Sequence, residues 1–281
     1  MTATGGVKPN TAPAGVARRA AANLLAWAAL PARRPRVALR ATMPATPRLV
    51  AGLVVAAVAV GGAMLVLDAR ALAAQRLLAI PVVDAFNWIT DFGKSGWFLW
   101  PLGLALVALA LVAAATPGRM VHLTIVALVV RLEFLFAAIA IPGLAVTIVK
   151  RLIGRVRPSQ LGPFAYVPFS WRPDYASMPS GHATTAFAAA VAIGAVWPRA
   201  RPLLWLYAIV IALSRVVIAA HYTSDVIAGA LVGGFAALII RNHFAARRLG
   251  FSVAPGGSVH RLPGPSWRRI KAIVGRLFSA S

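Results

Sequence analysis

Residues 49–67, LVAGLVVAAVAVGGAMLVL, carry no charge. A helix through them rises roughly 28 Å at about 1.5 Å per residue, close to the ~30 Å hydrocarbon thickness of a bilayer. In such a medium every peptide group must be satisfied internally, so an apolar run of this length with no polar alternation folds as a helix. Comparable runs recur at 96–115, 121–148, 182–197, 203–220 and 225–240, in a chain that is 60% hydrophobic and only 12% charged. The expected fold class is all-α: a polytopic membrane protein built as a six-helix transmembrane bundle. The fourth and sixth runs are short, and their ends must draw on flanking polar residues.

An even number of spans places both termini on one side. Cations crowd both tails, from Lys8 and Arg18 to Arg48 and from Arg241 to Arg276, and Arg119, Arg199 and Arg201 fall in turns expected on that same side. That side is expected to be the cytoplasm. The chain divides accordingly into a flexible basic cytoplasmic tail at 1–48, a six-span core at 49–240 and a second basic cytoplasmic tail at 241–281. Ala20–Leu30 resembles the apolar region of a signal peptide, but Arg33-Arg34-Pro35-Arg36 follows it and no small-residue cleavage pattern precedes the first span. An interfacial helix around Trp27 is expected there instead, and Met43 would serve equally well as a start. The net charge of +23 flanks apolar runs and accompanies no nucleic-acid-binding motif, so nucleic acid is not an expected partner. With no cysteine, disulfides, thiolate metal sites and cysteine nucleophiles are excluded.

Three polar blocks stand at expected span ends on the opposite, outer side. The first, Lys150-x6-Arg157-Pro158, offers a lysine point charge and an arginine fork for a phosphate; the two share a face if the third helix continues to Pro158. Taken alone, this block reads more readily as headgroup anchoring than as a phosphate site. In the second, Pro179-Ser180-Gly181-His182, Ser180 caps a helix whose free amides can receive an anion, Gly181 lets the backbone approach, and His182 can protonate a leaving oxygen. The third is Ser214-Arg215-x5-His221-x3-Asp225. Here Asp225 can orient one imidazole nitrogen of His221 and leave the other free as a nucleophile, while Arg215 is a charge that needs a polar cavity.

Together the blocks resemble the three-part signature of the type 2 phosphatidic acid phosphatase superfamily, over about residues 49–240. The resemblance implies a metal-independent lipid phosphomonoesterase or diphosphatase without a cofactor, with His221 as nucleophile, His182 as general acid and Asp225 as the partner of His221. It makes Lys150, Arg157, Ser180, Gly181 and Arg215 the phosphate cradle and a lipid phosphate the partner, at a bacterial inner membrane with the site facing the periplasm. Undecaprenyl diphosphate, phosphatidylglycerol phosphate, phosphatidic acid and the phosphate of lipid A all satisfy it, and the oligomeric state is left open. A phosphotransferase would use the same residues. A non-enzymatic transporter or lipid-binding protein would be expected to lose His182 or His221, and only Arg131 and Glu133, inside the third span, lean that way.

Overall fold

The structure, a computed structural model, describes residues 13–115, 118–160 and 162–278. Lys8, part of the expected amino-terminal charge, lies outside the described residues, as do the remainder of 1–12 and the last three residues of the carboxy-terminal tail. The expected spans appear as α2 (Thr46–Val66), α5 (Gly96–Ala115), α6 (Arg119–Ile153), α7 (Gly181–Val196), α8 (Arg201–Val217) and α9 (Thr223–Ala246). Short helices α3 (Asp68–Gln75) and α4 (Ile80–Asp91) connect α2 to α5. Among the described residues, five apolar stretches are long enough to cross a bilayer. The helix at the fourth expected run, α7, has only 16 residues, or about 24 Å of rise. Five helices are of full length where six spans were expected, α7 being short as its run suggested, while the last run, also expected to be short, lies within the 24 residues of α9.

The short helix is the centre of the molecule. Ala183, Thr184, Ala186, Ala188, Ala189 and Ala192 are all buried, and α6, α8 and α9 all pack on it. Its sequence, GHATTAFAAAVAIGAV, consists mostly of small residues, which let neighbouring backbones come close where lipid supplies no hydrophobic drive between helices. Helix α9 answers with Gly229-xxx-Gly233. A methyl group at Gly229 would stand 2.4 Å from the Ser180 carbonyl, and one at Gly233 only 2.2 Å from that of Thr184. This contact sets the first turn of α9 beside the first turn of α7, and the Ser180 amide donates to the Asp225 carbonyl at 2.9 Å.

A helix forms around Trp27 as expected, but it is packed on the bundle, and the carboxy-terminal tail is folded too. Helix α1 (Pro13–Ala28) packs on α5 and α6, with Ala20, Trp27 and Leu30 buried beside Ala110, Val121 and Ile125. Helix α9 runs on to Ala246, and the chain then makes a small antiparallel hairpin, β1 (Phe251–Val253) and β2 (Val259–Arg261), which with an isolated bridge between Arg155 and Tyr166 departs from all-α. Phe251 meets Phe134 edge-on at 4.8 Å. Arg131, which had no assigned role, donates to the carbonyls of Leu262 and Pro263 at 2.9 and 3.0 Å and so ties this tail to α6. The apolar stripe on each tail is what charge counting concealed. Helix α10 (Trp267–Phe278) follows the hairpin.

Candidate active site

Gly154 ends α6 in a left-handed conformation, φ 66°, and a side chain there would collide with the Val167 carbonyl. The helix therefore stops at Ile153. This corrects the expectation that Lys150 and Arg157 ride one helix face: Lys150 lies in the last turn of α6, and Arg157 is in the irregular segment beyond. There the Arg157 amide donates to the Asp174 carbonyl at 2.9 Å and its Nε to the Pro173 carbonyl at 3.0 Å. The two still approach one site. Lys150 Nζ lies 4.0 Å from the position a Gly181 Cβ would occupy, and Arg157 is close enough to disfavour protonation of His221.

Ser180 is the N-cap of α7, its Oγ accepting from the Ala183 amide at 3.5 Å. Gly181 and His182 follow, and His182 lines a cleft of about 400 Å3 with Gly93, Lys94, Gly143 and Thr147. At the end of α8 the Arg215 carbonyl accepts from the amides of Ala220 and His221 at 3.1 and 3.2 Å, with Ala219 in the left-handed region at φ 52°. This tight corner gives the five-residue spacing between Arg215 and His221 its meaning, because it folds the two back onto one another. Arg215 Nη1 donates to Thr90 Oγ1 at 2.7 Å, while its buried Nε has no partner among the described residues. A buried free donor of this kind suits an anion.

Asp225, in the first turn of α9, is fully buried. Its Oδ2 accepts from Ser177 Oγ at 2.5 Å and the Tyr222 amide at 2.9 Å, and lies 3.7 Å from His221 Nδ1. That last separation exceeds a hydrogen bond, and a small ring rotation would close it. Burial pushes the His221 pKa down to about 4; Asp225 opposes the shift, and the Arg215 and Arg157 charges reinforce it. The imidazole is thus neutral near pH 7, the form a nucleophile requires. In an NMR titration of the ligand-free protein His221 should stay neutral as pH falls and acquire its proton only near pH 4. A midpoint at the ordinary value of about 6.5 would contradict this environment.

The strongest interactions in the site belong to residues that sequence reasoning did not single out. Arg155 is wholly buried. It donates to Asp225 Oδ1 at 2.6 Å, Asp68 Oδ2 at 2.7 Å and Ser224 Oγ at 2.7 Å, and its guanidinium lies over the Tyr222 ring at 4.4 Å. Asp68, the first residue of α3, accepts from the Ser224 amide at 2.9 Å and so caps α9. The two carboxylates raise the proton affinity of Arg155 against the opposing effect of its burial. The available signals were Gly154, which breaks the helix and turns Arg155 inward, and the spacing Gly229-xxx-Gly233.

Comparison with known proteins establishes the family. The PAP2 superfamily profile matches residues 132–249, which hold all three polar blocks. A lipid A 1-phosphatase from Rhizobium etli is 34% identical over 208 residues, covering 71% of this chain and 86% of that protein. The chain belongs to the PAP2 superfamily. A second PAP2 relative, a lipid A 1-phosphatase from Rhizobium johnstonii, is 33% identical over 185 residues, 63% of this chain and 74% of that one. A solved structure described as the first transmembrane PAP2-type phosphatidylglycerolphosphate phosphatase, from Bacillus subtilis, is 16% identical, covers 79% of this chain and 94% of its own, and superposes with a TM-score of 0.43. The family profile and the Rhizobium etli relative uphold the sequence resemblance, and the long apolar helices agree with a multi-pass membrane protein.

Proposed function

We propose that this PAP2 protein is a lipid phosphatase of the bacterial inner membrane that removes the 1-phosphate of lipid A at the periplasmic face through a phosphohistidine. The observation that carries the reading is the neutral, buried His221 held between Asp225 and the cations Arg157 and Arg215. The names of both Rhizobium relatives support the substrate. So does the space beside His182. The 400 Å3 cleft meets a second of about 560 Å3 at Ser95 and Leu99, and this second cleft runs between α5 and α6 past Trp100, Leu104, Val107 and Phe136. A phosphate near His182 thus has an apolar track for its acyl chains, which gives exposed Trp100 a place in chain binding.

In this mechanism His221 Nε2 attacks phosphorus as the bond to the sugar oxygen breaks. His182, as imidazolium favoured by the bound dianion, gives that oxygen its proton. Lys150, Arg157, Arg215 and the first amides of α7 after Ser180, at Gly181 and beyond, hold the equatorial oxygens. Water, deprotonated by His182, then breaks the N–P bond and releases inorganic phosphate, while Asp225 stabilises the charged ring.

Because these cations neutralise the phosphate, the purified protein should release inorganic phosphate from lipid A in excess chelator and be inhibited by vanadate. Loss of activity in chelator with recovery on adding magnesium would count against the mechanism; release of phosphate only when an alcohol acceptor is supplied would indicate a phosphotransferase. The topology has its own test. Gln160 is exposed between α6 and α7, and a Gln160→Cys variant of this cysteine-free chain should react with an impermeant maleimide from the periplasm. Reaction only from the cytoplasm would reverse the orientation.

A further inference from the structure

A third cleft, of about 610 Å3, opens between α7, α8 and α9. Its lining includes Phe187, Val191 and Gly194 of α7 and Leu231, Phe235, Leu238 and Arg241 of α9, with Arg201 and Trp205 closing the side formed by α8. The spacings of three, four and seven residues make this one face of each helix. Gly194 is twelve positions beyond His182, about 18 Å along α7, so the far part of the cleft is remote from the catalytic histidines. Its walls suit an acyl chain, and its mouth is basic.

Arg201 is the first residue of α8, and Arg241 lies near the end of α9. Neither forms an ion pair among the described residues, and the two charges repel one another. Both side chains are nonetheless held in place. Arg201 Nε donates to the Gly194 carbonyl at 2.9 Å, and Arg241 donates to Asn242 Oδ1, whose own amide is anchored on the Thr42 carbonyl at 2.8 Å. Two fixed guanidinium groups without a counter-charge, at the rim of an apolar cleft within a membrane bundle, match a phosphate carried on an acyl chain. We propose that this cleft binds one anionic glycerophospholipid, its phosphodiester between Arg201 and Arg241 and one acyl chain against Phe187, Trp205 and Phe235. The lipid belongs to the leaflet opposite the catalytic histidines and is a ligand, not a substrate.

Native mass spectrometry of the full chain, titrated with phosphatidylglycerol or phosphatidylcholine in detergent and with vanadate saturating the catalytic site, tests this. The intact protein should retain one phosphatidylglycerol at least about tenfold more tightly than phosphatidylcholine: both present the phosphodiester, but the choline cation of the second is repelled by the two guanidinium groups. Arg201→Gln with Arg241→Gln should erase that preference and leave hydrolysis of a soluble aryl phosphate unchanged. Ala230→Leu, which fills the cleft without altering charge, should weaken retention of both lipids. Equal binding of the two lipids by the intact protein, a preference that survives in the double variant, displacement by vanadate, or a dimer that buries the cleft between copies would each overturn the proposal. None of these outcomes depends on whether lipid A is the substrate.

Discussion

Replacing His221 with alanine should abolish phosphate release from a lipid phosphate, a loss of roughly ten-thousand-fold or more, because among the described residues His221 alone of the two site histidines has a carboxylate, Asp225, to orient it and offset the charge of a phosphorylated ring. The contrast with His182 makes the result diagnostic. A general acid matters in proportion to how poor the leaving group is. His182→Ala should therefore be severely impaired on the lipid, yet retain much of its rate on an activated aryl phosphate, where His221→Ala stays inactive. Asp225→Asn should fall between them: the amide can still orient the ring but no longer offsets its positive charge. Equal losses in both histidine variants on both substrates would remove the distinction between nucleophile and acid.

The second large effect is expected at Arg155, which never contacts the substrate in this account. Arg155→Met would leave Asp68 and Asp225 as buried carboxylates without their shared cation. Breaking a buried ion pair from one side costs about 3–5 kcal/mol, which should lower the thermal midpoint by roughly 10 °C. Activity should fall too, because the orientation of Asp225 toward His221 depends on the 2.6 Å contact from Arg155. Adding Asp68→Leu to Arg155→Met removes one of the stranded charges and should recover part of the stability without recovering activity. A thermal midpoint and a rate both unchanged in Arg155→Met would show that this buried network has neither role.

These two predictions differ in how far the sequence supports them. The long helices were legible because charge-free runs in a membrane have few alternatives, and the three blocks because their spacings match local geometry: a capped start for α7 at Ser180, and a tight corner between Arg215 and His221. Arg155 was hidden in plain sight, one of four cations in the stretch from Lys150 to Arg157, where headgroup anchoring explains them all equally well. Its carboxylate partners, Asp225 and Asp68, are 70 and 87 residues away, and pairings at such distances leave no periodic trace. Gly154 did carry a readable signal, a glycine just past a helix, but the even spacing of Lys150 and Arg157 suggested a continuous helix. The packing of α1 was obscured by its arginines, although Ala20, Trp27 and Leu30 place one apolar residue on each of three successive stretches of that segment.

The central claim is covalent: His221 carries the phosphoryl group between lipid and water. It is tested most directly by mixing the purified full chain with lipid A labelled in its 1-phosphate, quenching in alkali within the first turnover, and locating the label by mass spectrometry. Alkali preserves a phosphorus–nitrogen bond to imidazole and hydrolyses an acyl phosphate. The account predicts an alkali-stable, acid-labile phosphoryl group on the peptide containing His221, absent from His221→Ala. Label on His182, or a phosphoprotein that persists in His221→Ala, would contradict it.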